Sequence, residues 1–257
     1  MTKYKSNITQ DKLEAELEND MIYLKLPFIN EHYKTLADEA ATKSSSHIEY
    51  LEKLIKGETE QKRDRATKRR ICAARFPVIK TLESFRWSWP KKINRLQTQN
   101  LFRLNFINDS ANVIFLGGVG VGKTHLATAL GHAACLSGHN ALFTTAIDVI
   151  NSLAAAKAAQ RLQAELKKYT RPSLLILDEL GYLPIDKAGA DLLFQVISQR
   201  YERGSLIITS NRVFKEWPKI FNNDSTLTSA ILDRLLHHAE TLVIEGKSYR
   251  MKDQIES

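Results

Sequence analysis

Cysteine is scarce in this chain: Cys72 and Cys135 are the only two in 257 residues, far apart and without C-x-x-C spacing. That argues against a disulfide scaffold and leaves a reduced, cytoplasmic setting as the expectation. No uninterrupted apolar run approaches the roughly 18 residues that mark a spanning helix, so no membrane partner is expected. The opening Met1-Thr2-Lys3-Tyr4-Lys5 is basic but leads into a polar, acidic segment without an apolar h-region, unlike a secretory signal. There is no internal repeat and no long low-complexity tract; the Ala-rich stretch at 154–159 reads as good helix former. With 43% apolar and 26% charged residues the chain sits near the globular average, which excludes wholesale disorder.

What is abundant is positive charge, and it is localised. Residues 1–51 carry 6 Lys/Arg against 9 Asp/Glu, a net of −3. Residues 52–103 carry 15 against 5, a net of +10, and residues 104–257 carry 16 against 15, a net of +1. A basic block of about fifty residues suggests a polyanion partner, nucleic acid first and an acidic protein second.

The chain divides into a helical region (1–65), a basic connector (66–110) and an α/β core (111–257). Thr9 can cap a helix carrying Leu13, Leu17, Met21 and Leu24 at helical spacing, with Pro27 as its interruption. A second helical pattern runs from about Asn30 to Ala41. After Ser44-Ser45-Ser46, Ser46 and Glu49 form a capping box ahead of Ile48, Leu51, Leu54 and Ile55. Beyond Gly57 a Lys/Arg-dense helical stretch covers Gln61 to Arg75. Several short helices suit either a DNA-binding bundle of helix-turn-helix kind or an interaction bundle, and this segment alone does not separate them.

From residue 112 short apolar runs alternate with helical patterns. Strands are expected at Asn112–Leu116, Ala141–Thr145, Leu174–Leu177, Leu206–Thr209 and Leu242–Ile244. Helices are expected at Lys123–Ser137, about Ile147–Tyr169, Lys187–Arg203 and Leu227–His238, with Pro172 ending the second. That alternation predicts a parallel sheet flanked by helices on both faces.

Gly117-Gly118-Val119-Gly120-Val121-Gly122-Lys123-Thr124 follows the first strand and opens a helix, the context a P-loop requires. Its backbone N–H groups and the helix N-terminus favour phosphate, Lys123 reaches the β- and γ-phosphates, and the Thr124 hydroxyl is a ligand for Mg²⁺. ATP and Mg²⁺ are the expected cofactors. The run Leu174-Leu-Ile-Leu-Asp178-Glu179 delivers Asp178 beside the P-loop as a second Mg²⁺ partner, and Glu179 as a general base for water. Asn211, after Leu206-Ile-Ile-Thr209-Ser210, is placed to align that water. Adjacent Asp-Glu favours a hydrolysing ATPase over a small-molecule kinase, the alternative from another class. Arg234 on a late helix is a transition-state cation for a neighbouring subunit's phosphate, a residue paired with Asp233, or part of a solvated face. No Cys/His quartet has metal-ligand spacing, with His125 and His132 included. Adjacent His237 and His238 are expected to point apart on a helix, so no metal beyond Mg²⁺ is expected.

Leu177-Asp-Glu-Leu-Gly-Tyr-Leu-Pro184, Gln199-Arg200-Tyr201-Glu202-Arg203-Gly204-Ser205, Thr209-Ser-Asn211, Ala230 through His238, and Glu245-Gly246-Lys-Ser248-Tyr249-Arg250 resemble the IstB-type insertion-sequence ATP-binding proteins. Gly189-Ala190, Leu193-Phe194 and Trp217 add to the match, which covers roughly 65–250. These are transposition helpers of the AAA+ class, similar to helicase loaders of the DnaC and DnaI type. The resemblance implies an ATP-dependent homo-oligomer on duplex DNA that selects or shapes the target and recruits a transposase, with Arg234 as an arginine finger in trans. It also points to Arg250 as a second sensor arginine, although no room remains for a full helical lid. A helicase loader acting on single-stranded DNA is the close alternative.

Lys62, Arg63, Arg65, Lys68, Arg69 and Arg70 lie along one or two faces of a helix. They are expected to contact DNA phosphates without reading sequence, unless the run is merely a solvated face. Phe85, Trp87 and Trp89 ahead of Pro90 read as packing at the domain joint, with nearby backbone lining the adenine pocket.

Overall fold

The computed structural model describes residues 2–251, with side chains described from Lys12 onward. It resolves into two compact units, residues 1–68 and 69–257.

The first unit consists of helices α1 (Thr2–Tyr23), α2 (Pro27–Thr42) and most of α3 (His47–Ala73). Three long helices thus replace the expected series of short ones. Thr9 lies inside α1 instead of capping it, and Pro27 starts α2 at its first turn, where its missing N–H costs nothing. The Ser46–Glu49 capping box forms: Ser46 N–H donates to Glu49 Oε2 at 2.7 Å, and Glu49 N–H to Ser46 Oγ at 3.2 Å. Gly57 does not break α3; the Phe28 ring packs where a Cβ at 57 would stand, so close packing explains that glycine. The next residue, buried Glu58, accepts from the N–H groups of Phe28 and Ile29 at 2.9 and 3.2 Å, capping α2 from a neighbouring helix. Met21, Ile29 and Leu54 form the small core, while Leu13, Leu17, Leu24, Ile48, Leu51 and Ile55 are exposed.

After the end of α3, the second unit contains α4 (Arg95–Leu101) and α5 (Asn105–Asn108), followed by β1 (Asn112–Gly117), α6 (Lys123–Leu136) and β2 (Ala141–Thr145). Next come α7 (Ala146–Ala158), α8 (Leu162–Thr170), β3 (Leu174–Leu180), α9 (Lys187–Arg200) and β4 (Ser205–Ser210). The short α10 (Trp217–Ile220), α11 (Ser225–Leu236) and β5 (Ala239–Ile244) complete it. The five strands form one sheet in the order β2-β3-β4-β1-β5, every pair parallel. The period-two alternation of each strand feeds two cores. Ile114, Leu116, Leu175, Leu177, Leu206 and Ile208 join one cluster with α7–α11, whereas Val113, Phe115, Leu174, Ile176 and Ile207 join another with α4–α6. The expected single helix over 147–169 is two: α7 ends at Ala158 and Gln160 adopts a left-handed backbone with φ 56°.

Arg200 locks the amino-terminal edge of the sheet. It is 1% exposed and donates to the carbonyls of Tyr169 and Pro172 (2.8 Å each), Ser173 (3.1 Å) and Ser205 (2.7 Å). Burial pushes its pKa down to about 10, so the group remains a cation at neutral pH. Arg200→Met removes these four hydrogen bonds and is expected to cost about 3 kcal/mol, lowering Tm by roughly 6–12 °C in a thermal melt. Arg200→Lys, which keeps the charge but not the planar fork, should fall between.

Candidate functional site

Gly117–Thr124 links the carboxyl end of β1 to the start of α6. Gly122 has φ 104° and faces the Phe85 ring, a conformation and a contact that both disfavour a side chain. Val121 is buried and anchors the loop, while Val119 is exposed. Lys123 Nζ donates to the carbonyls of Gly117 and Gly118 at 2.8 and 2.6 Å, which holds the ammonium inside its own loop. Partial burial pulls its pKa below the ordinary lysine value; Asp178 and Glu179 oppose the shift and Arg250 reinforces it.

Thr124, Asp178 and Thr209 form one hydrogen-bonded group. The Thr124 hydroxyl donates toward Asp178 Oδ1 and Oδ2 at 3.0 and 3.1 Å, and Thr209 donates to Oδ1 at 2.5 Å. Asp178 is 4% exposed and Thr209 1%. Thr124 and Asp178 offer hard oxygen donors, the set that suits Mg²⁺. The register of β3 against β4 shifts between Leu177 and Leu180, and Glu179 takes a left-handed backbone with φ 60°. This irregularity ends the regular ladder, burying Asp178 and leaving Glu179 exposed. The Glu179 N–H donates to Thr209 Oγ1 at 3.0 Å, so one hydroxyl ties both members of the acidic pair. Thr209 escaped the sequence reading, since a threonine inside an apolar strand carries no mark of its own. Thr209→Val is expected to lower Mg²⁺-supported ATP turnover roughly tenfold, read as a Mg²⁺ titration of the rate, with Thr209→Ser close to wild type.

A cavity of about 630 Å³ opens beside the loop. Gly120 to His125 form its floor, and its walls include Pro77, Val78, Phe85, Trp89, Tyr249 and Arg250. Phe85 and Trp89, expected as packing at the domain joint beside backbone lining the adenine pocket, themselves line this cavity; Trp87 packs on Phe85 and beneath Arg95. The Tyr249 N–H donates to the Gly120 carbonyl at 2.9 Å, and Trp89 Nε1 to the Lys247 carbonyl at 3.0 Å. His125 Nε2 lies 3.0 Å from the Thr81 carbonyl and 3.2 Å from Ser84 Oγ, fixing the turn that presents Phe85.

Glu179 does not line that cavity; it borders a small depression with Thr145, Ala146 and Tyr182. Asn211 is exposed one residue beyond the Leu116–Ser210 pair of β1 and β4, at the sheet edge where the loop begins. Arg234 lies at the other edge. Asn112, the first residue of β1, donates to the Leu235 carbonyl at 3.0 Å, placing the end of α11 one strand length, roughly 16 Å, from Gly117. The Arg234 guanidinium donates to the Ala230 carbonyl at 2.9 Å and stacks 4.9 Å from the Phe194 ring centroid. No ion pair to Asp233 forms among the described residues.

Whole-chain comparisons agree with this architecture. The model of the IstB-like ATP binding protein family matches residues 20–257. The chain belongs to that family. The IS21 putative ATP-binding protein of Pseudomonas aeruginosa is 41% identical over 93% of this chain and 90% of its own length. The IS232 putative ATP-binding protein of Bacillus thuringiensis is 40% identical over 93% and 95%. Among solved structures, a DnaC helicase loader aligns with 64% of this chain and 96% of its own, at 24% identity and TM-score 0.52. AMPPCP-bound DnaA from Aquifex aeolicus aligns at 20% identity and TM-score 0.56, over 71% of this chain and about half of its own length, 55%. The fold of this IstB-family member is that of the AAA+ P-loop NTPases.

Of the basic residues of α3, Lys62, Arg63, Arg65, Lys68 and Arg69 are exposed. Lys62 and Arg65 stand 3.8 and 3.7 Å from Glu58, and Arg65 also donates to Gln61 at 2.6 Å. Arg70 is half-buried and donates to the Cys135 carbonyl at 3.0 Å. His237 and His238 do not point apart as expected: their ring centroids are 4.2 Å apart, and ligand atoms of both lie within 4.8 Å of each other and of Glu202. α11 ends at Leu236, and the turn that follows brings the two rings together. No helix among the described residues is long and apolar enough to cross a membrane.

Proposed function

We propose that this protein is an ATPase that assembles as a homo-oligomer on duplex DNA, shapes or selects the target, and recruits a transposase. The observation that carries the reading is the separation of Arg234 from its own phosphate loop: the two occupy opposite edges of one sheet. A side chain cannot span that distance, so the cation reaches a γ-phosphate only if a neighbouring copy presents it. A chain whose ATP site is completed by its neighbour couples nucleotide to assembly.

In this reading Gly117–Thr124 cradles the phosphates of ATP, and Lys123 exchanges its two carbonyls for phosphate oxygens. Thr124 and Asp178 would hold Mg²⁺, which would supply charge neutralisation for the phosphates. Glu179 accepts a proton from the attacking water and Asn211 orients that water. Arg250 faces the cavity beside Lys123 and answers to the nucleotide from the same chain. The exposed cations at 62, 63, 65, 68 and 69, with Arg70, contact DNA phosphates. The relatives' names, which put them in insertion sequences, support a transposase as partner and the cytoplasm as setting.

The test measures ATPase rate and particle size together, with and without duplex DNA, at two salt concentrations. The reading expects a large assembly and faster hydrolysis with DNA, both declining with salt. A monomer whose rate ignores DNA would overturn it. Competition between duplex and single strands separates it from a helicase loader, and dependence on an added acceptor would reveal a kinase.

A further inference from the structure

Two histidines and a glutamate gather just past Arg234, in the unit formed by residues 69–257. His237 and His238 follow the end of α11, the helix that carries Arg234, and Glu202 follows the end of α9, the helix that carries Phe194. One ligand atom from each of the three lies within 4.8 Å of the other two. Among the described residues this is the one group of three His, Cys, Asp or Glu side chains so placed, and all three are exposed, open to an ion from solvent.

The arrangement is held from several sides. Glu202 keeps a left-handed backbone (φ 57°), a conformation that costs a non-glycine residue energy, and its carboxylate stands 3.9 Å from His237 Nδ1. The same ring lies 3.0 Å from the Tyr201 hydroxyl, which orients it as outer partners orient metal-bound histidines. The carbonyl ends of α9 and α11 also meet here, and their partial negative charge favours a cation.

The donor set selects among ions. Two imidazoles and a carboxylate suit Zn²⁺, whereas Mg²⁺ prefers oxygen donors alone. Zn–N and Zn–O bonds of about 2.0–2.1 Å space the ligand atoms of a tetrahedral site roughly 3.3 Å apart. Closing from 4.8 Å therefore moves exposed side chains by at most about 1.5 Å, a rotamer adjustment.

We infer that Glu202, His237 and His238 form a Zn²⁺ site, with water in the remaining coordination position, and that the ion clamps the end of α9 to the end of α11. Those two helices hold the stack of Arg234 on Phe194, so the clamp braces the segment that presents Arg234. The inference stands on ligand geometry and is independent of the ATPase and DNA-binding readings.

The experiment titrates Zn²⁺ into the full chain, stripped with chelator and free of Mg²⁺ and nucleotide, by calorimetry and by thermal melting. Wild type is expected to bind one Zn²⁺ per chain and to gain roughly 5–10 °C in Tm at free Zn²⁺ about 100-fold above Kd. His237→Ala, His238→Ala and Glu202→Gln should each weaken binding on the order of 100-fold and lose that gain, and Tyr201→Phe should weaken it about tenfold. Metal-free Tm should match wild type in the three ligand variants, whose side chains are exposed. His47→Ala, an exposed histidine of the other unit, should bind Zn²⁺ as wild type does. Wild-type Zn²⁺ affinity in the combined His237→Ala, His238→Ala variant would overturn the site, as would a wild type that binds no Zn²⁺. Displacement of the Zn²⁺ by excess Mg²⁺ would overturn the choice of metal and with it the inference.

Discussion

Arg234→Ala is expected to bind ATP with nearly wild-type affinity and to hydrolyse it about 10³-fold more slowly, the scale on which arginine fingers act. Binding survives because the phosphate loop, Thr124 and Asp178 are all intact at the far edge of the sheet. Stability should change little: the guanidinium donates to one carbonyl of its own helix and rests on Phe194, contacts on a partly exposed surface. The decisive measurement mixes this variant with Lys123→Ala, which cannot hold nucleotide. Each is inactive alone, yet a mixed assembly contains interfaces where an intact loop meets an intact Arg234. Partial recovery of turnover on mixing is the expected result, and strictly additive inactivity would refute supply in trans.

Glu179→Gln should separate binding from turnover in a different way. The amide keeps the size of the side chain and its left-handed turn but cannot take a proton from water, so turnover is expected to drop about 10²–10³-fold. Nucleotide affinity should hold, since Glu179 borders a separate depression from the 630 Å³ cavity. If hydrolysis resets the assembly, this variant accumulates on DNA with ATP as particles larger and longer-lived than those of wild type. Size-exclusion light scattering at matched ATP reads this directly. Wild-type turnover in Glu179→Gln would remove that carboxylate from the reaction.

Much of the core is legible in the sequence because parallel strands covered on both faces are short apolar runs, as β1, β3 and β4 are, while the edge strand β5 buries only Leu242 and Ile244 and shows a shorter run. The ends of the acidic strand and of β1 are equally plain, since Asp178-Glu179 and Gly117–Thr124 interrupt those runs with groups that only chemistry explains. The first sixty residues read less well. Gly57 and Pro27 look like helix breakers, but one is a contact surface for Phe28 and the other a helix start. Gln160 carries no sequence signal, yet it ends α7. Thr209 and the aromatic wall were hidden for another reason: their roles exist only through partners distant in sequence, Asp178 in one case and Tyr249 and Lys247 in the other.

That wall has a bearing on how the chain folds. Trp89 and Tyr249 meet edge to face at 5.3 Å, although 160 positions separate them, and Tyr249 closes onto Gly120 only after β5 has added to β1. Contacts this remote in sequence carry the largest loop-closure penalty and form late. The aromatic wall of the 630 Å³ cavity is therefore absent from any intermediate lacking the final strand, and, on the reading proposed above, tight ATP binding would be a property of the fully folded chain. Nucleotide in excess should draw the last folding step toward completion and slow its reversal, so that ATP acts as a proofreader of folding before it acts as fuel.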